Sequence, residues 1–183
     1  RSPLYVVIDG DVISATGSMV WTEVYELMSA RDDISGVPSG VWNVYEQARL
    51  QDPVLDQIME EAETGDEAAF DTLLAWSMLN ETGIEATKSL LARDGQQTLL
   101  SFQADTLGWS ETVDLAQSIE AALDELSDEI GDDYTLRLSG RALINAQTTS
   151  DVATASVQST GIVAVVILFM LVGIHTVRNN NNI

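Results

Sequence analysis

The chain has 183 residues, no cysteine, one histidine and a formal net charge of −21, from 29 Asp and Glu against 8 Lys and Arg. Disulfides, thiolate nucleophiles and cysteine-ligated metals are excluded, and a site with two histidine ligands needs a second chain. Clustered Lys and Arg are missing, so neither nucleic acid nor an anionic lipid surface met through a basic patch is an expected partner.

Leu4-Tyr-Val-Val-Ile8 is a β-rich apolar run that Gly10 ends. Ser18 to Arg31 carries apolar residues at 20, 24, 27 and 28, which predicts an amphipathic helix. Ile34 to Val37 reads as a short strand broken by Pro38 and Gly40, and Val41, Val44, Tyr45 and Ala48 have helical spacing. Asp52-Pro53 is a helix start, with Leu55, Ile58, Met59 and Ala62 as its face and Gly65 as its stop. Asp66 opens another helix through Phe70, Leu73, Leu74 and Ser77, with Gly83 as its expected stop. Thr82-x-x-Glu85 has the form of a capping box for a third short helix. Asp94-Gly95 is a hairpin signal, so residues 88–93 read equally as a short strand, and both readings stay open. Thr98 to Ala104 alternates with Leu100, Phe102 and Ala104 on one face, a half-buried strand. A helix follows with Ser110 as expected cap, Leu115, Ile119, Ala122, Leu123 and Leu126 on its face, and Gly131 as its stop. Tyr134 to Ser139 alternates again, with Leu136 and Leu138 inward.

Residues 1–140 thus read as one α+β domain of order β-α-β, a helical insert over about residues 41–92, then β-α-β. That order points to a ferredoxin-like, split β-α-β sandwich with two helices on one face of four antiparallel strands. A long helix over 141–178 and a tail over 179–183 follow. The 26 residues between Asp151 and Arg178 carry no formal charge. Val157 to Val177 is 21 residues, which as a helix covers about 31 Å, one hydrocarbon core. Its eleven Val, Ile, Leu and Phe residues from Ile162 on favour insertion by about 3 to 7 kcal/mol before polar residues subtract. Arg178 just past this segment places the C-terminus in the cytoplasm and residues 1 to about 150 outside the cell, by the positive-inside rule. An external domain must be translocated, so a removed signal or an earlier membrane helix of a longer protein is expected. His175 reads as an interfacial histidine near the inner end.

The acidity is not that of a disordered tail, since 45% of the residues are hydrophobic. Uncompensated negative charge weakens a compact state at low ionic strength, and molar salt screens it. Acid excess with a single lysine, Lys88, is the composition expected of a protein from a salt-accumulating halophilic archaeon.

The run Gly131-Asp-Asp-Tyr-Thr-Leu-Arg-Leu-Ser-Gly140 ends a strand on a small residue and glycine before a helix that enters the membrane. This resembles the junction between the exterior porter domain and the second transmembrane helix of resistance-nodulation-division (RND) exporters, in particular archaeal predicted exporters and mycobacterial large-membrane-protein-like members. The opening strand, Asp33-Ile-Ser-Gly-Val37 and Ala92-Arg-Asp-Gly-Gln-Gln-Thr-Leu-Leu-Ser101 fit the same pattern. The resemblance implies a part of a proton-driven exporter of hydrophobic or amphiphilic molecules. It implies no enzyme activity and no cofactor. The implied partners are the lipid bilayer, the remaining transmembrane helices of the parent chain, a hydrophobic small molecule or lipid, and further copies in a homo-oligomer. The family's proton relay uses acidic residues in later membrane helices, and 157–177 has none, so this chain would shape a substrate path or an assembly contact. Trp42 and Trp76 in the insert are the candidates for a hydrophobic substrate groove.

Two other readings stand beside this one. A single-pass surface protein with an acidic ectodomain that binds a partner or a cation fits the same composition. Asp9/Asp11, Asp32/Asp33 and Asp132/Asp133 are carboxylate pairs of the kind that bind Ca²⁺ or Mg²⁺, with Asp9 and Asp11 as the metal candidates. Val6-Val-Ile-Asp9-Gly-Asp11 resembles the first motif of haloacid-dehalogenase-like phosphatases. That resemblance implies Asp9 as nucleophile, Asp11 as general acid, and later roles for Lys88 and Gly131-Asp132-Asp133. Asn80-Glu81-Thr82 is an N-glycosylation acceptor pattern.

Overall fold

A computed structural model of the chain describes residues 3–92, 95–104 and 109–140. The membrane segment 157–177, His175, Arg178 and the 179–183 tail lie outside the described residues. Among the described residues no helix is long and apolar enough to cross a membrane.

The described elements run β1 (Pro3–Asp9), α1 (Ala15–Ser29), β2 (Ile34–Ser39), α2 (Val41–Arg49), α3 (Pro53–Glu63), α4 (Glu67–Leu79), α5 (Glu81–Thr87), β3 (Leu91–Ala92), β4 (Gln97–Ala104), α6 (Trp109–Ile130) and β5 (Thr135–Ser139). The domain is α+β, with a small antiparallel sheet of order β2-β4-β1-β5. β1 lies between β4 and β5, with Val6 opposite Leu100 on one side and Leu138 on the other. The free edge of β4 is shared by β2, through Ile34 and Ser35, and by β3, through Leu91 and Ala92. α1 therefore connects β1 to β2 across β4, and α6 connects β4 to β5 across β1.

Period-two alternation sets the core. Leu4, Val6 and Ile8 of β1 and Leu100, Phe102 and Ala104 of β4 are buried on one face, with Leu136 of β5. Val20, Trp21, Val24 and Met28 of α1 and Leu115, Ala116, Ile119 and Leu123 of α6 belong to the same cluster. So do Tyr45, Leu55, Met59, Phe70 and Leu73 of the insert, so the insert shares the domain's core. No charged side chain is among the buried described residues; the buried polar ones are Ser77, Thr87 and Thr98.

Local chemistry corrects several expected boundaries. α1 starts at Ala15, before the expected Ser18, because Ser14 caps it by accepting from the Gly17 N–H at 2.9 Å. β2 extends through Pro38 to Ser39, which an edge strand with a register shift between Ser35 and Ser39 tolerates. Asn80, not Thr82, caps α5, accepting from the N–H groups of Thr82 at 3.0 Å and Gly83 at 3.2 Å. Gly83 does not stop α4; it lies inside α5, where a Cβ would meet the Trp76 carbonyl oxygen at 2.2 Å. The two readings of residues 82–93 both hold, since α5 is followed by the short β3. Ser110 lies inside α6, so it is not the cap. Leu138 is half-buried rather than inside.

Candidate functional site

The insert carries the concave surface. α2 follows β2 directly, Asp52 caps α3 by accepting from Val54 and Leu55, and Asp66 caps α4 by accepting from Ala68. These starts fold α3, α4 and α5 back around α2, whose Val41, Trp42 and Tyr45 are buried. Tyr45 stands at the centre. Its ring is edge-on to Trp42 at 5.3 Å and to Trp76 at 5.9 Å, and its hydroxyl shares a 2.7 Å hydrogen bond with Ser77. Burial pushes the Tyr45 phenol up to about 12, against the opposing pull of the Ser77 hydrogen bond.

Trp42 and Trp76 both contact Tyr45 but line different cavities. Trp42, Trp21, Met59 and Phe70 form the apolar lining of a cavity of about 250 Å³, with Glu46 and Glu63 also on its wall. Trp42 and Phe70 are edge-on at 6.2 Å. The indole N–H groups of Trp21 and Trp42 are buried and have no hydrogen-bond partner. A Cβ on Gly40 would lie 2.8 Å from the Trp21 Nε1, so the indole edge packs against the start of α2. Trp76 lines a second cavity of about 620 Å³, walled by α2, the start of α3 and the corner between α4 and α5. Asn80 is exposed at this corner and is part of that wall.

Beside the smaller cavity, Arg49 gathers carboxylates from two helices. Its guanidinium reaches Asp56 at 2.7 Å, Glu63 at 2.6 Å and Glu46 at 3.4 Å. Hydrogen bonds to Asp56 and Glu63 hold its pKa above even the ordinary arginine value. At the end of α1, the Arg31 guanidinium grips Asp33 and holds its carboxyl below the usual range.

The other predicted residues lie elsewhere. Asp9, at the end of β1, accepts from Gln97 at 2.5 Å and pairs with Arg137. Asp11 lies in the following turn, where its backbone carbonyl accepts from Ser14 at 2.8 Å and from the Tyr134 hydroxyl at 2.9 Å. Asp132 and Asp133 form the turn before β5, and the Asp133 carbonyl adjoins Gly10. Lys88 is exposed at the end of α5, paired with Glu85. Among the described residues no group of three or more His, Asp or Glu side chains converges as a metal site.

The sequence reading missed Trp21, Arg49 and the amides of the larger cavity. The amides carried a signal: Asn43 and Gln47 lie one turn apart on α2, and Gln51 follows at the same spacing just past its end. Comparisons of the chain with family models, with curated proteins and with solved structures gave no match.

Proposed function

We propose that this chain is the first exterior domain and second membrane helix of an RND-type exporter of hydrophobic or amphiphilic molecules, not itself an enzyme. The strand order carries the reading. The order β2-β4-β1-β5, with α1 and α6 each crossing one intervening strand, supports a ferredoxin-like arrangement of two β-α-β units. A role in shaping a path for apolar cargo is supported by the cavity that Trp21 of α1 and Trp42, Met59 and Phe70 of the insert line. The domain lies outside the cell, 157–177 crosses the bilayer, and the proton relay sits in membrane helices contributed elsewhere in the parent chain.

The parent reading frame tests this. A preceding hydrophobic helix, several following ones with a mid-membrane Asp, and a second β-α-β copy are expected. A frame with this membrane segment alone overturns the exporter and leaves a surface protein. Because the chain has no cysteine, one introduced residue reports sidedness. Thr64→Cys is expected to react with a membrane-impermeant maleimide in intact cells, and Ile183→Cys only after lysis. The reverse pattern overturns the orientation.

A further inference from the structure

The larger cavity differs in chemistry from the acidic surface around it. Up to residue 140 the chain has nine Asn and Gln residues, and four of them, Asn43, Gln47, Gln51 and Asn80, line this one cavity. Among the described lining residues there is no Lys, Arg or Glu, and the single carboxylate, Asp52, gives its Oδ1 to the N–H groups of Val54 and Leu55. Asn43 and Asn80 spend their Oδ1 atoms on backbone N–H groups, of Gly40 and of Thr82 and Gly83. Their Nδ2 groups remain as donors of the amide, while the exposed Gln47 and Gln51 bring a donor and an acceptor each. Trp76 is half-buried, held by Tyr45 and Gly83, and adds its indole to the same wall. The volume, about 620 Å³, is that of a small-molecule site.

Neutral donors and acceptors beside an aromatic ring match a ligand whose hydroxyls both donate and accept and whose C–H face covers an indole. An anionic ligand meets no Lys or Arg among the described lining residues, and the one carboxylate, Asp52, already accepts two backbone N–H groups. We propose that this cavity is a saccharide site. It is independent of the exporter reading and takes a different ligand class. The saccharide has two sources, a free neutral sugar or a glycan carried by the chain itself on Asn80. Asn80-Glu81-Thr82 has the acceptor pattern, at the exposed rim of the cavity. In that modification Nδ2 bonds to the anomeric carbon of a lipid-phosphate-linked sugar. The carbon–oxygen bond to phosphate breaks, the lipid phosphate leaves with the electron pair, and the amide releases one proton. Oδ1 is untouched, so the cap of α5 survives.

The test uses the full chain in molar KCl and a detergent without a sugar headgroup. In the first arm the chain is made in a host without N-glycosylation. Methyl α-glucopyranoside, methyl α-mannopyranoside and maltose are the probes, read by saturation-transfer NMR. At least one is expected to bind, and Gln47→Leu with Gln51→Leu to weaken it by about tenfold or more. Both glutamines are exposed, so the melting midpoint is expected to hold, which separates lost binding from lost fold. In the second arm the chain comes from the cells that make it. Glycopeptide mass at Asn80 and NMR contacts between the first sugar and Trp76 are read. Glu81→Pro removes the acceptor pattern. Proline suits the first position of α5, and Asn80, at φ −84° and ψ 128°, accepts a following proline. Probe binding with a bare Asn80 identifies a free saccharide; a glycan in contact with Trp76 that Glu81→Pro abolishes identifies the chain's own. Absence of both, or probe binding that survives the double glutamine substitution with no glycan contact at Trp76, overturns the proposal.

Discussion

Tyr45 shows how much one side chain carries. It is fully buried, and its hydroxyl meets the buried Ser77. With its pKa pushed up to about 12, the folded state keeps the phenolic proton after the unfolded chain has released it. Stability is therefore full below about pH 10 and falls as pH rises from about 10 to about 12, by up to about 3 kcal/mol. Tyr45→Phe is expected to abolish that alkaline loss. At neutral pH it is expected to cost about 1–2 kcal/mol, because Ser77 loses its partner. Urea denaturation at several pH values measures both. Arg49 gives a second prediction. Arg49→Met leaves Glu46, Asp56 and Glu63 converging without a cation. The expected cost is about 1 kcal/mol at low salt and less in molar KCl, read from urea midpoints at the two salt levels. Side chains of this kind are hard to read from sequence. Arg49 looks like any exposed helix residue until α3 brings Asp56 and Glu63 beside it. Asp9 has the look of a nucleophile until Gln97 and Arg137, both remote in sequence, occupy its carboxylate.

At the scale of elements, the sequence was most legible where periodicity and turn chemistry agree. The alternation of residues 98–104 and the Asp52-Pro53 start both became the expected elements. Caps shifted boundaries where a neighbouring side chain outcompeted the expected one, as Ser14 and Asn80 did. Gly83 was misread because a glycine stops a helix or permits close approach, and sequence alone does not distinguish them. Here the approach is decisive, as a Cβ would also lie 2.9 Å from the Trp76 carbonyl carbon. Gly83→Ala is expected to destabilise by about 1–3 kcal/mol despite alanine's better helix propensity. Gly17 is the matching case in α1, where a Cβ would meet the Asp11 carbonyl oxygen at 2.2 Å. Gly17→Ala is expected to cost a similar amount, about 1–3 kcal/mol. Thermal denaturation in molar KCl checks both, and an increase in melting temperature for either contradicts the close approach.

For the whole molecule, charge governs the conditions of stability. No carboxylate is buried among the described residues, so the acidic groups there face solvent and one another. The melting temperature is expected to rise as KCl goes from about 0.1 M to about 1 M, where the Debye length falls from about 10 Å to about 3 Å. A flat response would show that the net charge of −21 is compensated locally, against a haloadapted surface. Composition by itself determined the acid excess, the absence of cysteine chemistry and the uncharged stretch from 152 to 177. Local pattern determined the alternating faces of β1 and β4, because side-chain period is a property of the backbone. Tertiary structure alone decided that Trp42 and Trp76 both pack against Tyr45 yet line separate cavities. It alone gathered the amides of α2 and of the turn after it beside Asn80, because a cavity is made by the crossing of helices. Helix crossings depend on which side chains fill the space between them, and that is a non-local property of the chain.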